Sequence, residues 1–245
     1  MQPTHLHCQV TYIGHSGFFV EWEACCFLFD YYKGTLPKPK DKTLYVFSSH
    51  SHRDHFNPDV FAYGATWPRA IYILSDDIDV PEEEGLEIHR MGPGQKAHFS
   101  EALTVETLPS TDLGVAFYVT YRGCSVFHAG DLNDWVWDEC TPQENQEMTR
   151  LFYAYTEPLK GRCVDIAFLP VDLRQGKDAL RGLHRYMRQM KVQHVFPMHF
   201  WGAFRRVRRL LEEPECMLYA PFVILLNRNG DTYELQDDSR KLQRF

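Results

Sequence analysis

Phe47-Ser48-Ser49-His50-Ser51-His52-Arg53-Asp54-His55-Phe56 puts three histidines and an aspartate within six residues, directly behind the apolar run Leu44 to Phe47. A catalytic metal centre needs that density of donors, because divalent ions take imidazole and carboxylate ligands at about 2.0–2.2 Å and keep one position open for water. His50 and His52 are two apart, so in extended chain they project to one side and can grip one ion. Asp54 and His55 follow where the chain turns, and their side chains are directed toward a second ion beside the first. Beyond them, Asn57-Pro58-Asp59 reads as a helix start with Asn57 as cap, so the cluster lies on a strand-to-helix loop, a usual place for functional groups.

Upstream, residues 5–12 alternate in polarity, Gly14-His15-Ser16-Gly17 turns the chain, and Phe18 to Trp22 and Ala24 to Asp30 follow as two more strands of a meander. His5 and His7 share a strand face with nothing nearby to complete a site. His15 sits in a glycine-flanked turn that can aim a side chain into a cleft, as a group that contacts substrate or braces a ligand. Tyr31 to Lys42 is a lysine- and proline-rich loop. Downstream, short strands are expected from Ala70, Leu86, Ala97, Leu103, Val115 and Cys124, the last two joined by the hairpin turn Arg122-Gly123. Thr141-Pro142-Gln143-Glu144 opens a helix with a capping box. Strands at Val164 to Leu169, His194 to Met198 and Phe222 to Leu226 then alternate with helices at Lys177 to Met190 and Ala203 to Leu211. No repeat, linker or low-complexity segment interrupts the chain.

A net charge of −7 over 245 residues argues against a nucleic-acid footprint. The local exception, Arg205-Arg206-Val207-Arg208-Arg209, reads as a solvated helix face. No run is apolar enough to span a bilayer. Seven cysteines without a C-x-x-C pair, and no export-type leader, point to a reducing, cytoplasmic setting with Cys25 and Cys26 in the core.

Two distant residues can complete the central cluster. Asp131, in His128-Ala129-Gly130-Asp131, ends an apolar strand, with Gly130 permitting close backbone approach, and one carboxylate can bridge two ions. His199 likewise ends a strand. With these in place the chain resembles the metal-dependent hydrolases of the metallo-β-lactamase fold. Their H-x-H-x-D-H signature is matched by His50, His52, Asp54 and His55, their bridging aspartate by Asp131 and their final histidine by His199. Tyr12-Ile13-Gly14-His15-Ser16-Gly17 and His128-Ala129-Gly130-Asp131 are similar to the branch of L-ascorbate-6-phosphate lactonase-like proteins. The resemblance implies one α/β (α+β) domain over residues 1–245, a four-layer αβ/βα sandwich with the site at one edge of its two sheets.

The chain departs from that pattern in one place. The loop that supplies a further histidine to the first ion reads Leu108-Pro109-Ser110-Thr111-Asp112-Leu113-Gly114. Asp112 is the replacement its chemistry favours; His128 is the rival, although within a strand it faces away from Asp131, and the third ligand can also be missing altogether. A carboxylate there hardens the shell and moves preference from zinc toward manganese or iron(II). The implied activity is hydrolysis of an ester, lactone or phosphodiester bond in a small, anionic-capable substrate. Two divalent ions would activate the water, with Asp54 placed to orient it. The alternative is a metal-binding or regulatory protein whose degenerate site has little turnover. Trp135, Trp137 and Arg174 follow strand ends and either wall the pocket or pack and solvate locally. Self-association is common in the family, which leaves a homo-oligomer open.

Overall fold

The computed structural model describes residues 6–80 and 85–236. His5 and the acidic stretch 82–84 lie outside them. The first sheet has seven strands, β1 (His7–Gly14), β2 (Gly17–Glu21), β3 (Cys25–Phe29), β4 (Thr43–Ser48), β5 (Arg69–Ser75), β6 (Glu87–Met91) and, at its other edge beside β1, β13 (Thr232–Gln236). The second has six: β7 (Lys96–His98), β8 (Leu103–Pro109), β9 (Val115–Tyr121), β10 (Cys124–His128), β11 (Cys163–Pro170) and β12 (Lys191–Met198). In each sheet an antiparallel meander passes into parallel strands: β3, β4, β5 and β6 in the first, β10, β11 and β12 in the second. Among the described residues four α-helices accompany them, α1 (Asp59–Gly64), α2 (Pro142–Thr156), α3 (Arg181–Gln189) and α4 (Phe204–Leu210).

Alternation along the strands decides the layering. Phe18, Val20, Phe27, Phe29, Tyr45, Phe47, Ile71 and Ile73 face the second sheet and join Phe117, Val126 and Phe168 in the large core. Their neighbours Phe19, Cys26, Leu28, Leu44, Val46, Tyr72 and Leu74 face the other way, onto Val60 of α1. Strands buried on both faces read as near-continuous apolar runs, which is how β3 and β4 look in sequence. On the far side of the second sheet Phe127 meets Tyr186 of α3, which in turn meets Phe152 of α2. The result is two packed sheets with helices outside, the arrangement that the resemblance implies.

The hairpin at Arg122-Gly123 has both residues at positive φ, as a primed turn requires, and Thr141 and Glu144 form the expected capping box. Asn57 accepts from the Asp59 N–H at 2.9 Å, while the helix proper begins at Asp59. The four arginines of α4 are exposed around the buried Val207. His7 is exposed and 3.5 Å from Glu234.

Two expectations are corrected. The expected strand at Phe222 to Leu226 is a 3-10 turn followed by a single bridge between Val223 and Val195. The late strand lies instead at Thr232–Gln236, whose mostly polar residues pack on β1 at a sheet edge and give little apolar signal. The helix expected from Lys177 starts at Arg181, because Gly176 (φ 58°) breaks a preceding 3-10 segment, Leu173–Asp178.

Gly114 packs the Asp112 loop onto the central cluster: at φ +67°, a Cβ there would stand 2.1 Å from the Ser49 carbonyl oxygen and 2.7 Å from His50 Cβ. Gly114→Ala is therefore expected to cost about 3 kcal/mol or more, read as a lower urea midpoint at unchanged m-value.

Candidate metal centre

The parallel strands of both sheets end at the same edge of the sandwich and bring their following residues together there. β4 ends into His50, His52, Asp54 and His55, β10 into Asp131, and β12 into His199, while the turn after β1 carries His15 and the loop after β8 carries Asp112. These side chains form two groups, each offering ligand atoms within 4.8 Å of one another: His50, His52, Asp112 and Asp131, and His15, Asp54, His55 and His199. Asp131 joins the two. Its Oδ2 is 3.6 Å from His50 Nε2, and its Oδ1 is 3.2 Å from His55 Nε2 and 3.3 Å from His199 Nε2.

The back of each ring explains its aim. His55 Nδ1 donates to Asp30 Oδ2 at 2.7 Å, and His199 Nδ1 to Asp172 Oδ2 at 3.0 Å. Ser49 gives its hydroxyl proton to Asp30 at 2.6 Å, so its oxygen accepts from His50 Nδ1 at 3.0 Å. All three histidines thus turn Nε2 to the centre, where His50 Nε2, His55 Nε2, His199 Nε2 and Asp131 Oδ1 are buried without a well-formed hydrogen bond. Buried polar atoms are rarely left so, and histidines braced from behind by carboxylates are typical metal ligands. The donor set fits divalent ions.

Electrostatics point the same way. Burial resists charge on His55 and His199, but Asp131 with Asp30 or Asp172 outweighs it, raising His55 well above its usual value and His199 to about 9. Asp131 is held well below the carboxylate range, burial notwithstanding, by the same two histidines. Burial and then His55 push His50 down to about 4, and burial lowers His15 despite Asp54. Burial and Asp131 raise Asp112. Without metal, protons on two imidazoles supply the positive charge that Asp131 needs.

The structure brings His15, His50, His52, Asp54, His55, Asp112, Asp131 and His199 together at this edge, and leaves His128 out. His15 is nearer the centre than a group contacting only substrate: its Nε2 is 3.2 Å from Asp54 Oδ2, and its ring centroid 4.3 Å from that of His199. Asp112 lies 3.4 Å from His52, and both are about half exposed. His128, the rival to Asp112, belongs to neither group: its Nε2 meets the Ser16 carbonyl at 2.9 Å and its Nδ1 accepts from the Gly130 N–H. Gly130 does bring the backbone close, since a Cβ there would sit 2.7 Å from Ser49 Cβ. Trp135 packs, donating to the Asp131 carbonyl at 2.8 Å, and Trp137 stacks on it. Asp30 and Asp172 escaped the sequence reading; each is an isolated carboxylate just past an apolar strand, the same signal that marks Asp131. Among the described residues, four of the five non-glycines at positive φ are His15, Asp30, His199 and Trp201, so backbone strain is concentrated at this edge.

Residues 9–146, more than half of the chain, match the family described as the β-lactamase superfamily domain. The chain belongs to the metallo-β-lactamase superfamily. A UPF0173 metal-dependent hydrolase of Carboxydothermus hydrogenoformans is 25% identical over 213 residues, covering 78% of this chain and 84% of that one. Among solved structures, the metallo hydrolase Igni18 of Ignicoccus hospitalis superposes with a TM-score of 0.64 at 17% identity, covering 95% of this superfamily member and 100% of Igni18. The diiron beta-hydroxylase CmlA of Streptomyces venezuelae gives 0.59 at 12% identity, over 96% of this chain and 55% of that one. These likenesses show the fold. No helix among the described residues is long and apolar enough to cross a membrane.

Two measurements test the centre. Asp30 braces His55 directly and His50 through Ser49, whereas Asp172 braces His199 alone. Asp30→Asn is expected to weaken both metal equivalents about 10- to 100-fold in a chelator-competition titration, and Asp172→Asn only one. The second is pH dependence. In metal-free protein the folded-state pKa of His199, about 9, exceeds its ordinary 6.5. Its stabilisation is complete below about pH 6.5 and lost as pH rises through about 9, so the melting temperature after chelation should fall across that window. Metal must displace the same protons, so affinity should rise with pH there, and calorimetry in buffers of different ionisation enthalpy should register proton release.

Proposed function

We propose that this protein is a metal-dependent hydrolase that cleaves an ester, lactone or phosphodiester bond of a small, anionic substrate in the cytoplasm. The observation that carries the reading is Asp131, one carboxylate facing the inward nitrogens of three braced histidines and shared by two ligand groups. His50, His52, Asp112 and Asp131 would hold one ion, and Asp54, His55, His199 and Asp131, with His15 in reach, the other. Bound divalent ions would lower the pKa of water toward neutrality and polarise the electrophile. Asp54 would orient that water, and His15 Nε2 stands 3.2 Å from Asp54 Oδ2 at the same edge. The carboxylate of Asp112 in place of an imidazole favours manganese or iron(II) beside zinc. Lactone stands among the candidate bonds because the His15 turn and the Asp131 run resemble the L-ascorbate-6-phosphate lactonase-like branch.

A second reading, a metal-binding or regulatory protein with little turnover, is favoured by the exposure of His52 and Asp112. The two separate on metal content followed by esterase, lactonase and phosphodiesterase assays with Mn²⁺ or Zn²⁺. The hydrolase reading expects at least one activity that EDTA abolishes and that Asp131→Asn lowers about 10³-fold or more. Two firmly bound ions with no activity on any of the three bond types would transfer the case to the second reading.

A further inference from the structure

We propose that Arg174, held over the indoles of Trp137 and Trp201, is the subsite that binds an anionic oxygen group, carboxylate or phosphate, of the substrate. The inference rests on the hydrolase reading, which takes an anionic substrate, and adds to it where that charge is held.

The three residues come from the ends of adjacent parallel strands. Trp137 lies beyond β10 and Asp131, Arg174 beyond β11 and Asp172, and Trp201 beyond β12 and His199. Ligands bind at the carboxyl ends of strands in such sheets, and here each strand supplies first a residue of the centre and then a residue of its rim. The Arg174 guanidinium carbon is 5.7 Å from the Trp137 ring centroid and 5.4 Å from that of Trp201, within cation–π range of both. Trp201 is half exposed, at φ 52°, with its ring centroid 4.2 Å from that of His15. The rim is therefore in contact with the metal centre.

The hydrogen bonds leave Arg174 a free edge. Its Nε donates to both Asp172 oxygens at 3.0 and 2.9 Å, and its Nη2 donates to Oδ2. That clamp uses two of five N–H groups. Both protons of Nη1 and one of Nη2 meet no acceptor among the described residues, and the side chain is 57% exposed. An Nη1/Nη2 pair is the fork that takes carboxylate or phosphate bidentately. Asp172 does not need a guanidinium merely to be satisfied, since it already accepts from His199 Nδ1 and from the Arg174 backbone N–H. On the first sheet's side of the centre, Lys33 sits 4.7 Å over the Tyr32 ring, which is edge-on to His15.

The test is calorimetric titration of the metal-loaded protein with phenyl phosphate, benzoate and phenol. Arg174→Lys keeps a cation beside Asp172 but loses the fork; Trp201→Leu leaves the Arg174–Asp172 pair untouched. Metal content is measured on every sample. With metal retained, the lysine variant should bind the preferred anion about tenfold more weakly and phenol unchanged, and Trp201→Leu should weaken the same anion several-fold. Whether phenyl phosphate or benzoate loses more tells phosphate from carboxylate. The proposal is overturned if wild type binds neither anion at millimolar concentration, or if both variants bind them as wild type does. Binding is read without turnover, so failure here is distinct from failure of the hydrolase reading, which the assays above decide.

Discussion

A buried carboxylate is the constraint on which the rest of this structure depends. Asp131 is 5% exposed, and an ion so placed costs several kcal/mol unless opposite charge reaches it. Histidines from two sheets supply that charge as protons, and the same nitrogens accept a divalent cation once the protons leave. The geometry that stabilises the metal-free protein is thus the geometry of the ligand sphere. Asp30 and Asp172 extend the arrangement outward: each fixes a ring from behind and makes its inward nitrogen the basic one.

The two halves of the centre are built to different standards. Around His15, Asp54, His55 and His199 the histidines are buried, and two of them lean on buried carboxylates. Around His52 and Asp112 both side chains are about half exposed, and they lie 3.4 Å apart. Rigid, braced ligands hold an ion more tightly than mobile ones, because less ordering is left to bind against. An ion beside His52 would exchange more readily, and the departure from the family pattern at Asp112 falls on that same half.

Much of this was legible from sequence because it is local. The spacing of H-x-H-x-D-H alone separates His50 and His52 from Asp54 and His55, as the two groups of side chains do; Asp131 and His199 stand at strand ends, and the Asp112 loop drew notice through the histidine it lacks. Sheets and helices followed from apolar runs such as Leu44 to Phe47 and from the Thr141 capping box. What escaped was of two kinds. Asp30 and Asp172 act on histidines 25 and 27 residues away, and spacing carries no trace of such pairings. The strand at Thr232–Gln236 is polar because it lies at a sheet edge, so the period-2 apolar signal was nearly absent. His15 was found as a candidate, but only the fold brings its turn onto His199.

The most direct test is an anomalous-difference map from crystals grown with Mn²⁺ or Zn²⁺. The account predicts two peaks about 3.5–4 Å apart, with Asp131 touching both, His55 and His199 on one, and His50, His52 and Asp112 on the other. A single peak, or two peaks of which Asp131 touches only one, would contradict it.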